Sequence, residues 1–161
     1  MSTLPLLDVP QLEATLQTAR RIAVLGIKPE SRRHRSAHHI PAYLADVGYT
    51  ILPVPVYYPE TTEILGQPVF RTLSQLPAPV DILSVFRKPD DFPAHLPDVL
   101  TLNPGVVWFQ SGLLPIADAQ TLADAGIPVA HDCIGCRRAT LRPAALPLPG
   151  QRPQSEQRDP P

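Results

Sequence analysis

Apolar residues in this chain fall into short unbroken runs, separated by stretches in which they recur every three or four positions. The runs are Arg21-Ile-Ala-Val-Leu-Gly26, Tyr49-Thr-Ile-Leu-Pro-Val54, Val80-Asp-Ile-Leu-Ser-Val-Phe86, Gly105-Val-Val-Trp-Phe109 and Ile127-Pro-Val-Ala-His131. They lack the polar alternation of a half-exposed strand, which predicts strands covered on both faces. A weaker run, Gly66-Gln-Pro-Val-Phe70, predicts a further short strand followed by one helical turn through Leu76.

The intervening stretches read as helices. Across residues 10–20, Leu12, Leu16 and Ala19 share one face and Asp8 is placed to cap the start. Residues 37–47 have helical period, and Gly48 follows where a left-handed stop is favoured. Residues 89–102 predict one helix, with Pro89 in its first turn and Asp90 and Asp91 at the positive end of its dipole, which accounts for that acidic pair without catalysis. Residues 116–125 predict another, closed by Gly126. Strand followed by helix, repeated, implies a parallel sheet between two helical layers. Right-handed crossovers then select a doubly wound, mostly parallel Rossmann-like α/β/α sheet of five or six strands. Pro128 puts the last strand at an edge.

Composition refines this picture at three points. With 161 residues and no internal repeat, the chain has the size of one domain. Residues 143–161 are rich in Pro, Gln and Arg without apolar period, so a disordered tail is expected after a domain of 1–142, with a protein partner for that tail as an option. Fourteen basic against fifteen acidic residues leave a net charge of −1, which excludes a generic nucleic-acid or membrane-surface binder. The N-terminal stretch, broken by Pro5 and Asp8, does not read as a signal peptide, and a cytoplasmic setting with Cys133 and Cys136 as thiols or ligands is expected.

Open α/β sheets bind ligands beyond the carboxyl ends of their strands. Segments 26–36, 54–58, 86–89 and 110–113 should therefore converge. The first leaves its strand through Gly26, carries Lys28, Arg32, Arg33 and Arg35, and enters a helix at Ser36, a suitable N-cap. Free amides at a helix start, with cations around them, form a phosphate site. The glycine pattern of dinucleotide-binding turns is missing beyond Gly26, and the second strand ends in Pro53-Val54-Pro55-Val56 with no carboxylate for a ribose. No Walker loop is present. NAD and ATP therefore fit poorly, and a ligand with several phosphates read by arginines fits better.

The stretches IAVLG, SAHHIPAYLADVGYTILPV, EILGQPVFRTLSQLPAPVDILSVFRKP, GVVWFQSGL and AGIPVAHDC, in that order, resemble the CoA-binding protein family of small bacterial stand-alone domains. They are similar to the nucleotide-binding domain of the succinyl-CoA synthetase α subunit. The resemblance spans residues 20–138 and implies non-catalytic binding of coenzyme A or an acyl-CoA. By it, Gly26, Ile27 and Lys28 approach the phosphates, with Ser31, Arg32 and Ser36 nearby, and Pro53 and Val54 form a wall. Phe86, Arg87 and Lys88 would contact the nucleotide or its phosphates, while Gln110, Ser111 and Gly112 would line the pantetheine path. The chain departs from the family pattern at Pro55 and Val56, where Asn and Pro are usual, and at Arg137, where an acid is usual. Two other readings stay open: an NAD(P)- or other nucleotide-binding regulator, and an enzyme using Cys133 as thiolate.

His131, Cys133 and Cys136 form an H-x-C-x-x-C cluster that offers three soft metal ligands or a redox pair. A structural zinc site needs a fourth ligand, and a thioredoxin-like pair would start a helix after an early strand, so ordinary half-buried thiols are expected. His34, His38 and His39 border the basic loop and read as surface imidazoles or as donors to a phosphate. Trp108, inside an apolar run, reads as core.

Overall fold

Five of the apolar runs become neighbouring strands of one parallel sheet in the computed structural model, which describes residues 4–141. In chain order the strands are β1 (Arg21–Leu25), β2 (Thr50–Val54), β3 (Glu63–Ile64), β4 (Gln67–Pro68), β5 (Ile82–Val85), β6 (Val106–Phe109) and β7 (Val129–His131). The sheet order is β2-β1-β5-β6-β7, and every pairing in it is parallel. The chain moves outward from β1 to β2, then returns to lay β5 on the other side of β1. The gap between the ends of β1 and β5 is thus the switch point at which doubly wound sheets hold ligands.

Alternate residues of β1 serve opposite layers, as the pleat requires. Ile22 and Val24 pack with Leu12, Leu16, Leu44, Trp108 and Ile134, under α1 (Val9–Thr18), α2 (Ser36–Asp46) and α5 (Ile134–Ala139). Ala23 and Leu25 pack with Phe92, Val99, Phe109 and Leu122, under α3 (Leu96–Leu102) and α4 (Ile116–Asp124). The three-layer α/β/α arrangement follows. Asp8 caps α1 as expected, accepting from Gln11 N at 3.0 Å while Gln11 Oε1 accepts from Asp8 N at 2.8 Å. Trp108 is fully buried and donates Nε1–H to the Asp132 carbonyl at 2.9 Å.

The structure corrects four expectations. The run at 66–70 does not join the sheet: it contributes β4 to a two-strand antiparallel hairpin with β3, so the main sheet has five strands. The stretch 89–102 is broken into 3₁₀ turns at Pro89–Asp91 and Pro93–His95 before α3 begins, because each proline removes an amide the helix would need. Ser36 is the first residue of α2 rather than its cap; Arg35 holds the cap position without a side-chain bond. Helix α5 was not anticipated, being only six residues long, with Gly135 in it. A Cβ on Gly135 would meet Ile40 Cγ2 at 3.1 Å, so this glycine permits α5 to approach α2 closely. The predicted tail, 143–161, and the expected domain limit at 142 lie outside the described residues.

The edge placement expected for the last strand holds: β7 closes one side of the sheet, and Pro128 directly precedes it. Leu6 bridges to Val129 in parallel, and Leu7 N donates to the Val129 carbonyl at 3.0 Å. At the amino end, Asp81 ties three strands together. Its Oδ2 accepts from both Arg20 N and Arg21 N at 2.9 Å, and its carbonyl accepts from Val106 N at 3.0 Å. Removing the carboxylate strands two amides, so Asp81→Ala should lower unfolding stability by about 1–2 kcal/mol. A urea melt reads this directly, and an unchanged midpoint would contradict the assigned role.

Candidate functional site

The site is organised around one close approach. Gly26 has φ +87°, and a Cβ there would lie 2.5 Å from the Phe86 carbonyl oxygen, closer than real Cβ contacts come. Gly26 N donates to the Val54 carbonyl at 2.9 Å and Phe86 N to the Leu25 carbonyl at 2.8 Å, which locks the ends of β1, β2 and β5 together. The glycine is demanded twice, by backbone conformation and by space. Ile27 follows and is 1% exposed, buried with the core under α2.

Lys28 is fixed by its backbone to α2. Its amide donates to the Ala37 carbonyl at 3.0 Å, and its carbonyl lies 2.9 Å from His38 Nδ1. His38 is therefore no surface imidazole: it is 5% exposed, and its Nε2 stands 3.8 Å from Glu30 Oε2. The same Glu30 oxygen accepts from Leu65 N at 3.0 Å, joining the loop to the hairpin. His34 and His39 are exposed, as expected. Ser31, Arg32 and Arg33 lie exposed on or next to the 3₁₀ turn Glu30–Arg32, with Arg33 Nε donating back to the Glu30 carbonyl at 3.1 Å.

Between this loop and the ends of β5 and β6 opens a cleft of about 450 Å³, lined by Lys28, residues 34–37, Phe86 and Leu113. The amides of Ser36 and Ala37, first in α2, have no acceptor among the described residues. Two free N–H groups and the cations of Lys28 and Arg35 thus border one cavity. Pro53 and Val54 are buried at the end of β2, where they shape the sheet edge and not an exposed wall. Beyond them Val56 and Tyr57 are exposed and Tyr58 is half-buried, the two tyrosines in edge-to-face contact at 5.2 Å, with Lys28 Nζ 5.7 Å from the Tyr58 ring centre. Arg71 secures their loop by donating to the carbonyls of Tyr58, Pro59 and Thr61. The sequence reading placed segment 54–58 at the site but did not single out these tyrosines, although an aromatic pair at a strand end was visible.

Phe86 borders the cleft and Lys88 is exposed, while Arg87 Nη2 lies 3.9 Å from Asp91 Oδ2. Asp91 thus has a partner as well as its place in a first turn. A second cleft of about 590 Å³ lies farther along the same edge, between Pro89, Asp90 and Pro93 on one side and Leu114 and Ile116 on the other. No residue named from the sequence for ligand contact lines it. Gln110 is 7% exposed with both ends of its amide occupied: Nε2 donates to Ser84 Oγ at 3.1 Å and Oε1 accepts from Ile134 N at 3.2 Å. It holds β5, β6 and α5 in register, while Ser111 and Gly112 beyond it are exposed. Gly112 N donates to His131 Nε2 at 3.2 Å, so His131 steadies this loop.

Free thiols are not found. Cys133 and Cys136 form a disulfide with Cα atoms 5.2 Å apart, at the start of α5. Among the described residues no three His, Cys, Asp or Glu side chains gather as a metal site, and no helix is long and apolar enough to cross a membrane.

The sequence profile described as a CoA binding domain matches residues 20–139, most of the chain. The chain belongs to that CoA-binding domain family. YneT of Bacillus subtilis (strain 168) is 32% identical to it over 133 residues, covering 82% of this chain and 95% of YneT. The structure of cell-free ID.343 from Thermus thermophilus is similar, with TM-score 0.75 and 40% identity over 83% of this chain and 98% of that one. A hypothetical protein from Pyrococcus horikoshii OT3 shares the fold, with TM-score 0.75 and 22% identity over 88% and 99% of the two chains. The cleft of this CoA-binding domain therefore sits at the switch point of a fold found repeatedly among its relatives.

Two outcomes are expected of the site's framework. Gly26→Ala should destabilise the domain by about 2 kcal/mol or more, because left-handed strain adds to the clash with Phe86. Gly112→Ala, at φ +80° with nothing within 4 Å, should cost only the strain, about 1 kcal/mol, and thermal melts of the two variants compare them. His95 has its pKa held below the usual value, first by burial and then by the Arg87 charge. The fold favours its neutral form, so stability present above the unfolded pKa is lost as pH falls through the folded one. Between about pH 7 and about pH 5, His95→Gln should lose less stability than the wild type, as denaturant midpoints would report.

Proposed function

We propose that this chain binds coenzyme A or an acyl-CoA as a ligand and does not turn it over as a catalyst. The observation that carries the reading is the cleft between β1 and β5, where Ser36 and Ala37, whose amides are unbonded, line the same cavity as Lys28 and Arg35. Lys28, Arg32, Arg33 and Arg35 stand together there in a chain whose net charge is −1. A phosphate group seated there would accept from the helix start and be neutralised by the two cations.

Arg32, Ser31 and Lys88, all exposed around the rim, suit the remaining phosphate charge, and Arg87 adds a cation already shared with Asp91. Gly26 and Ile27 would act on the phosphate side by fixing where the turn leaves β1. Ser111 and Gly112 suit the pantetheine arm, held in position by Gln110 and His131. Pro55 and Val56 after β2 offer no carboxylate to a ribose, which favours CoA over NAD.

Isothermal titration with CoA, acetyl-CoA, NAD and ATP tests this reading. Heat is expected with the CoA species and little with the others; no heat with any CoA species would overturn it. Lys28→Glu and Arg35→Glu should each weaken CoA at least tenfold, about 1.4 kcal/mol, without changing the melting temperature by more than a few degrees. Wild-type affinity should also fall as salt rises, since the contacts are largely ionic and solvent-exposed.

A further inference from the structure

The disulfide is not used by simple ligand binding, yet it stands at the start of α5, in the segment that braces the loop 110–113 bordering the cleft. Ile134, directly after Cys133, is held by Gln110 through its amide, and His131, two residues before Cys133, holds Gly112. Leu113, next in that loop, lines the cavity. Cys136 is exposed and Cys133 half-buried. Cys133 Sγ accepts a hydrogen bond from Cys136 N at 3.2 Å, and the neighbouring Asp132 carboxylate is engaged, through Oδ1 by Cys133 N at 2.9 Å and through Oδ2 by Arg137 at 2.8 Å.

We propose that the Cys133–Cys136 disulfide is the covalent acceptor for the thiol of bound coenzyme A. This inference rests on the reading that CoA occupies the cleft with its pantetheine arm along residues 111–113. The CoA thiol gives its proton to solvent and its thiolate attacks Cys136 Sγ, the accessible sulfur. The Cys133–Cys136 bond breaks, its electron pair leaves on Cys133 Sγ, and a bond forms between Cys136 Sγ and the CoA sulfur. One disulfide replaces another, so no external oxidant is required. Cys133 is the better leaving group because an N–H already points at its sulfur and the adjacent carboxylate charge is balanced by Arg137. An acyl-CoA, whose sulfur is in a thioester, fits the same cleft but cannot react. The pair therefore distinguishes free from acylated CoA.

The test uses the oxidised full-length protein, with equal concentrations of CoA, acetyl-CoA or glutathione, quenched in acid and weighed without reductant. CoA should add its full mass, because exchange expels nothing, and the adduct should map to Cys136 and be removed by dithiothreitol. Acetyl-CoA should add nothing, and glutathione should react at least about tenfold more slowly, since it lacks the nucleotide that raises the thiol's effective concentration. Cys136→Ser, with no disulfide to exchange, should give no adduct with CoA alone. Equal rates for CoA and glutathione, or no adduct while calorimetry shows acetyl-CoA and CoA binding to the wild type, would overturn this inference and leave the binding reading intact. Absence of any CoA or acetyl-CoA binding would overturn both.

Discussion

The turn after β1 reaches the ligand edge only by lying directly against the Phe86 carbonyl, and that contact admits no side chain at Gly26. The same residue is bonded to Val54, so the ends of three strands meet at one backbone position. From there the chain has a fixed point of departure. Lys28 is set by both of its backbone groups onto the first turn of α2, and the helix start is thereby aimed at the gap between β1 and β5. A phosphate site made from amides depends on the direction of those amides more than on the number of cations around them, and here the direction is decided by a steric constraint within the sheet.

Around this point the polar residues divide into those that build the loop and those that face outward from it. His38 and Glu30 are chemically suited to a ligand, yet both are engaged in the loop's own structure, as are Arg71 on the neighbouring segment and Gln110 across the sheet. Such internal bonds fix the geometry before any guest arrives, which reduces the ordering cost of binding. Lys28 and Arg35 line the cavity without a carboxylate partner among the described residues.

The strands were legible because unbroken apolar runs have few alternatives in a chain with so many of them, and the convergence of four segments then follows from topology alone. What was not legible depended on distance in space. His38 differs from His39 in sequence by one position, but only packing against Lys28 and Glu30 makes it a buried scaffold residue. Gln110 stood out as a polar residue leaving a strand, and its two partners come from β5 and α5, the latter too short to announce itself by period. The broken stretch at 89–102 is a different matter: Pro93 and Pro97 stand in the sequence itself, and each denies a continuous helix an amide. The disulfide required knowing that α5 folds the two cysteines toward each other.

Each rim of the sheet is partly covered by the chain's own backbone. On the β7 side the main chain at Leu6 and Leu7 occupies Val129, and on the β2 side Pro53 has no N–H to offer while its carbonyl is taken by Phe70 N at 2.9 Å. Strand-by-strand growth into a larger sheet, the usual hazard of an exposed β edge, has no template at these positions.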